Sequence, residues 1–176
     1  MQSIGPLHRR GKRLLSFIVA LQAAATSIAH VKGGVAVEKP IRVLIVDDYR
    51  PLREWVRAKL GLSARFEIAG EAGDGHDAVA KAHEQNPDLV LLDIGLPGMN
   101  GIDVAMLLRR AIPRTRILFL SENSDPEVIT TALSDGTSGF VLKSEADNDL
   151  LLAIETALRG EKFCSKEAAI TPSQNY

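Results

Sequence analysis

From Ile41 onward the chain alternates short apolar runs with amphipathic stretches five times over, and this alternation limits what it can fold into. IRVLIVDD (41–48), FEIAGEA (66–72), LVLL (89–92), RILFLS (116–121) and GFVLK (139–143) read as strands. Between and after them lie helical patterns. Leu52, Trp55, Val56 and Leu60 share one face, with Pro51 suited to a first turn. GHDAVAKAHEQN ends before Pro87; Ile102, Ala105, Leu108 and Ile112 stripe a third helix. Asp125 as cap, Pro126 as first residue and Gly136 as terminator bound a fourth. Leu150, Leu151, Ile154, Ala157 and Leu158 form the face of a fifth.

Strand-helix units in strict succession require a parallel sheet, because each strand needs a crossover to run alongside the last. Right-handed crossovers leave few topologies. The expected one is an α/β fold, a flavodoxin-like (βα)5 doubly wound sheet with strand order 2-1-3-4-5. In that order the first and third strands are neighbours, and Asp47, Asp48 and Asp93 meet at their carboxyl ends. Ligands of open α/β sheets bind in the crevice beyond those ends.

Three adjacent carboxylates repel one another unless something positive lies between them. Oxygen donors of this kind suit a hard divalent cation, and magnesium fits best because it takes one or two carboxylates, several waters and phosphate oxygens. Calcium stays open as an alternative, although no EF-hand loop is present. Ser121 and Lys143 end the fourth and fifth strands. A free carboxylate, a cation site, a hydroxyl and an ammonium make a set suited to phosphoryl transfer, with an acyl phosphate on Asp93 as product.

The first forty residues read differently. Six Lys or Arg stand there against Glu38 alone, so the other 136 residues carry a net charge of −6. That acidic balance argues against a broad DNA-binding surface. HRRGKR followed by the uncharged run 14–29 has the outline of a secretory signal, but a wrongly included upstream start codon or a basic amphipathic surface helix is the preferred account. Membrane contact by this extension is not expected. The lone cysteine, Cys164, excludes a disulfide framework within the chain.

Residues 41 to about 160 resemble the receiver domain of bacterial two-component response regulators, the CheY-like superfamily. The motifs are LIVDD (44–48), LLDIGLPGMNG (91–101), the Ser121 that closes LFLS, and GFVLK (139–143). The resemblance implies that Asp93 is the phosphoacceptor and that Asp47, Asp48 and the Gly95 backbone carbonyl join it in holding Mg2+. It implies that Ser121 and Lys143 bind the phosphoryl group and that Phe140 is the aromatic switch. It further implies a cytoplasmic signalling protein rather than an ordinary enzyme, one that promotes its own magnesium-dependent phosphorylation and dephosphorylation. Its partners would be a sensor histidine kinase or phosphotransfer protein and a downstream protein, with a homodimer as a further option. Glu122 departs from the family, which usually has a small residue there.

RGEKFCSKEAA (159–169) resembles the segment that leads out of receivers of LuxR-type, NarL/FixJ-like regulators. No helix-turn-helix pattern follows it before Tyr176, so the expectation is a stand-alone receiver or a remnant of a DNA-binding regulator, with no direct DNA contact. The expected organisation is an extension over 1–40, a receiver over 41–160 and a short tail over 161–176. A competing reading is a receiver-like interaction module that works without phosphorylation. A haloacid-dehalogenase-type phosphatase would need a DxD arrangement where this chain has adjacent acids, and a nucleotide fold would need glycines where YRPLRE has none. Trp55 is expected to pack as core. His76 and His83 are expected to face solvent, and Cys164 to be an inert thiol in the tail.

Overall fold

The computed structural model describes residues 39–134 and 136–169. The expected extension, apart from Lys39 and Pro40, and the last seven residues lie outside them. The strands are β1 (Ile41–Val46), β2 (Phe66–Ala72), β3 (Leu89–Leu92), β4 (Arg116–Ser121), β5 (Gly139–Leu142) and β6 (Phe163–Cys164). The helices are α1 (Arg50–Leu60), α2 (Gly75–Gln85), α3 (Gly101–Ala111), α4 (Pro126–Ser134), α5 (Ala146–Leu158) and the short α6 (Lys166–Ala169). All strands run parallel in the order β2-β1-β3-β4-β5-β6. The expected flavodoxin-like order is present, with one strand added at its edge.

Local chemistry sets the helix limits. Asp74 and Asn100 each accept a backbone N–H of the turn that follows, from Asp77 and Ile102, which caps α2 and α3. Asp125 accepts from the Glu127 N–H at 2.9 Å and caps α4 ahead of Pro126. Asn86, at φ +46°, closes α2 in the left-handed conformation that Asn tolerates. Pro87 then bars any continuation.

The sheet is covered on both faces. Leu44, Val46, Val90, Leu92, Phe119 and Phe140 point to the side of α2, α3 and α4, where Ala78, Ala82, Val104, Leu108 and Ile129 meet them. Val43, Ile45, Leu91, Leu118 and Val141 point to the other side, against Val56 and Leu60 of α1 and Leu150 and Ile154 of α5. This alternation is the period-two rule of a strand acting on a sheet buried twice. Each fully buried Leu, Ile or Phe contributes about 1.5–3 kcal/mol of transfer free energy. Trp55 packs against the second cluster as expected, and His76 and His83 are exposed.

The segment expected to be a tail departs from the sequence reading. Residues 163–164 pair with Gly139 and Phe140, and Ser165 is fully buried. The Ser165 hydroxyl donates to Asp149 on α5 at 2.8 Å and accepts the Leu142 N–H at 3.2 Å. A two-residue strand is too short to leave a periodic signal. Cys164 is therefore a half-buried strand residue, and burial, with Glu145 nearby, raises its thiol pKa. Among the described residues no helix is long and apolar enough to cross a membrane.

Gly101 permits the closest backbone approach near the strand ends. A Cβ there would lie 2.0 Å from the Asp93 carbonyl oxygen, which no rotamer change can relieve. Gly101→Ala is expected to destabilise the fold by about 1–3 kcal/mol through overpacking, measured as a lower urea midpoint. An unchanged midpoint would contradict this packing.

Candidate metal centre at the strand ends

Strand register builds the site. Val46 of β1 pairs with Leu92 of β3, so the residues that follow, Asp47 and Asp93, emerge side by side. Ser121 pairs with Leu142, and Lys143 follows as the first residue of a 3-10 turn. These groups surround an open crevice of about 620 Å³ lined by Asp48, Tyr49, Asp93, Gly95, Ser121, Glu122 and Lys143, with Ile94, Asn100 and Asn123. Asp47 borders it from below through its contact with Lys143.

One carboxylate oxygen from each of Asp47, Asp48 and Asp93 falls within 4.8 Å of the others. Asp47 and Asp93 are buried and Asp48 is exposed, so the cluster opens to solvent on one side. Every donor is an oxygen, which fits a hard divalent cation and not a soft one. A Cβ at Gly95 would lie 3.6 Å from Asp93 Oδ2, so glycine keeps that flank of the carboxylate clear of side chains.

The Lys143 ammonium lies 2.8 Å from Asp47 Oδ2 and 3.0 Å from Asp93 Oδ2. Asp93 Oδ1 accepts the Ile94 N–H at 2.7 Å, and Asp47 Oδ1 accepts that of Tyr49 at 2.9 Å. Burial raises the Asp47 pKa above its ordinary value, with Lys143 and the Tyr49 N–H pulling the other way. Burial alone would depress Lys143; hydrogen bonds and charge from Asp47 and Asp93 outweigh it and raise its pKa. Lys143 thus stays charged and neutralises part of the acidic cluster.

The structure brings Asp47, Asp48, Asp93, Gly95, Ser121 and Lys143 together. The Ser121 hydroxyl is buried and accepts the Asn123 N–H at 3.2 Å. Phe140 is not in the crevice: its ring is fully buried on β5, three residues before Lys143, with its centroid 6.4 Å from that of Phe119. Glu122 stands exposed on the rim.

Sequence reading missed a network behind the first acid. Arg53 donates to the Asp47 carbonyl at 2.6 Å and to Glu71 Oε2 at 3.1 Å, while Arg57 holds Glu71 Oε1. Arg57 and Arg53 are four apart on α1, and Glu71 is one of two acids in β2, paired with Ile45; those were the available signals. Burial pushes Glu71 upward, but the two guanidiniums outweigh it and hold its pKa below the ordinary 4.5.

Comparison with known proteins identifies the family to which residues 43–155 are similar. The model of the response regulator receiver domain matches residues 43–155. The nitrate/nitrite response regulator protein NarL of Escherichia coli K12 is 35% identical over 135 residues, covering 77% of this chain and 62% of NarL. The chain therefore spans less than two thirds of that relative's length. A two-component response regulator of the LuxR family from Aurantimonas sp. SI85-9A1 superposes with a TM-score of 0.69 at 30% identity, over 74% of this chain and 94% of that one. The isolated receiver domain of RcsB from Salmonella enterica serovar Typhimurium superposes at 0.70 and 24% identity, over 74% of this chain and 97% of its own, a likeness of fold alone.

Two outcomes follow from the charges. Lys143→Ala leaves two buried carboxylates facing each other and should cost about 3 kcal/mol in chelator-treated protein, read by urea denaturation; no loss would contradict the bridging role. Glu71, with its lowered pKa, adds stability that is fully present above pH 4.5 and is lost as pH falls through the folded-state value. Glu71→Gln should flatten the acid limb of the stability curve, and an unchanged limb would contradict the pairing.

Proposed function

Because the chain belongs to the response regulator receiver domain family, we propose that it is the phosphoacceptor of a two-component phosphorelay, modified on Asp93. The observation that carries this reading is the convergence of Asp93 with two further acids, Ser121 and Lys143 in one open crevice. Its phosphodonor is a sensor histidine kinase or a phosphotransfer protein. An Asp93 oxygen attacks phosphorus, the P–O bond forms as the P–N bond to histidine breaks, and the imidazole leaves.

Each residue has a share in that transfer. Mg2+, held by Asp47, Asp48, Asp93 and the Gly95 carbonyl, would neutralise charge on the phosphoryl oxygens. Lys143, already 3.0 Å from Asp93, turns to the new phosphate and compensates its charge. Ser121 donates its hydroxyl proton to another phosphoryl oxygen. Glu122 places a negative charge at the rim, where it opposes approaching anions.

Output follows from the same groups. Ser121 and Leu142 are paired, and Phe140 lies on the strand that ends at Lys143, so moving the hydroxyl and the ammonium disturbs the packing around the ring. Phe140 is inward in this structure; phosphorylation would shift the population toward that state rather than create it. The surface of α4, β5 and α5 then presents a changed face to a downstream protein or to a second copy of the chain. DNA contact is not part of the proposal for residues 41–160, and the cytoplasm, where such donors act, is the proposed location.

Intact-mass measurement after incubation with acetyl phosphate and magnesium should show the gain of one phosphoryl group. The gain should vanish with a chelator and in Asp93→Asn. No gain in the wild-type protein, or a gain retained by the variant, would overturn the assignment.

A further inference from the structure

The loop that carries the first two acids is restrained from outside as well as from within. Tyr49 occupies the cap position of α1 but offers no side-chain hydrogen bond, and no acid stands in the first turn. Within the loop the Asp47 carboxylate accepts the Tyr49 N–H at 2.9 Å, and no helix cap adds to that restraint. Arg53, in that same first turn, is a cation where the helix dipole disfavours one, and its side chain is only 17% exposed. Two of the three guanidinium nitrogens are committed: Nη1 to the Asp47 carbonyl at 2.6 Å, Nε to Glu71 on β2 at 3.1 Å.

The Asp47 carbonyl belongs to the peptide that joins Asp47 to Asp48. That peptide is planar, so pinning its oxygen fixes ψ of the first acid and φ of the second together. The N–H of Asp47 is pinned as well, to the Ala72 carbonyl at 3.1 Å. The direction of one carboxylate relative to the other is then set from behind the site. Glu71 is in turn held by Arg57 through its other oxygen, and Lys81 donates to its carbonyl at 2.6 Å. The brace runs from α2 through β2 to α1 and ends on the loop.

We propose that Arg53 is a positioning residue for the metal-binding acids, acting through the Asp47–Asp48 peptide and not as a ligand. The proposal rests on the magnesium reading of Asp47 and Asp48 given above. Groups one shell behind a metal tune its affinity by roughly 10- to 100-fold. A lysine cannot span both contacts, since it offers a point charge and not a planar fork.

Magnesium titration by calorimetry, with no phosphodonor present, tests it on the full chain. Arg53→Ala should weaken magnesium about tenfold and Arg53→Lys somewhat less, while Arg65→Ala, which removes an arginine paired with Glu155 outside the brace, stays within about twofold of wild type. In the acetyl phosphate reaction the magnesium half-saturation point of Arg53→Ala should rise, with the rate at saturating magnesium restored. Hydrogen exchange at the Asp48 and Tyr49 amides of metal-free protein should quicken in Arg53→Ala and Arg53→Lys and not in Arg65→Ala. Wild-type affinity and exchange in a folded Arg53 variant, or an equal loss in Arg65→Ala, would overturn the proposal. Failure of the wild-type protein itself to bind magnesium would overturn the reading of the acids instead, and the exchange experiment would still decide the role of Arg53.

Discussion

The pairing of β1 with β3 is the constraint on which the rest depends. Their register sets Val46 against Leu92, so the next residue on each strand is a carboxylate, and the two leave the sheet as neighbours. This happens only at the point where the strand order reverses, with the β1 crossover going to one side and the β3 crossover to the other. Eight buried aliphatic residues on the two strands hold that register. A slip of one residue in either strand would turn its four buried side chains to the opposite faces and separate the acids.

Bringing acids together has an electrostatic cost that the surrounding residues offset. Lys143 reaches in from β5 and bridges Asp47 and Asp93, main-chain N–H groups of Tyr49 and Ile94 take one oxygen each, and Asp48 is left in solvent. The result is a cluster partly neutralised by one ammonium. Such a balance is responsive: a cation entering the crevice competes with Lys143 for the carboxylate oxygens, and an anion competes with the carboxylates for Lys143. The sixth strand lies on the far side of β5, bound to it through the Phe140 carbonyl and the Leu142 N–H, so the strand bearing the switch candidate is not an edge among the described residues.

Much of this was legible in the sequence, for physical reasons. Buried parallel strands are continuous apolar runs, and each ended in a residue whose polarity broke the run: Asp47, Asp93, Ser121, Lys143. Topology then forced those breaks onto one edge. Other features left no trace of that kind. β6 is too short to show periodicity, and Ser165 and Asp149 meet only because α5 folds back across the edge. Arg53 and Glu71 look like ordinary surface charges until the β1–β2 register puts Glu71 beside Ile45 and under α1. The inward position of Phe140 is likewise a matter of packing against Phe119, which spacing to Lys143 could not reveal.

The central claim is that Asp93, alone among the three clustered acids, is the nucleophile. Borohydride reduces an acyl phosphate to an alcohol, so trapping the phosphorylated chain this way and sequencing its peptides by mass spectrometry identifies the modified carboxylate. The account predicts homoserine at position 93, with Asp47 and Asp48 recovered unchanged. Homoserine at 47 or 48, or none in protein that carries the phosphoryl group, would contradict it.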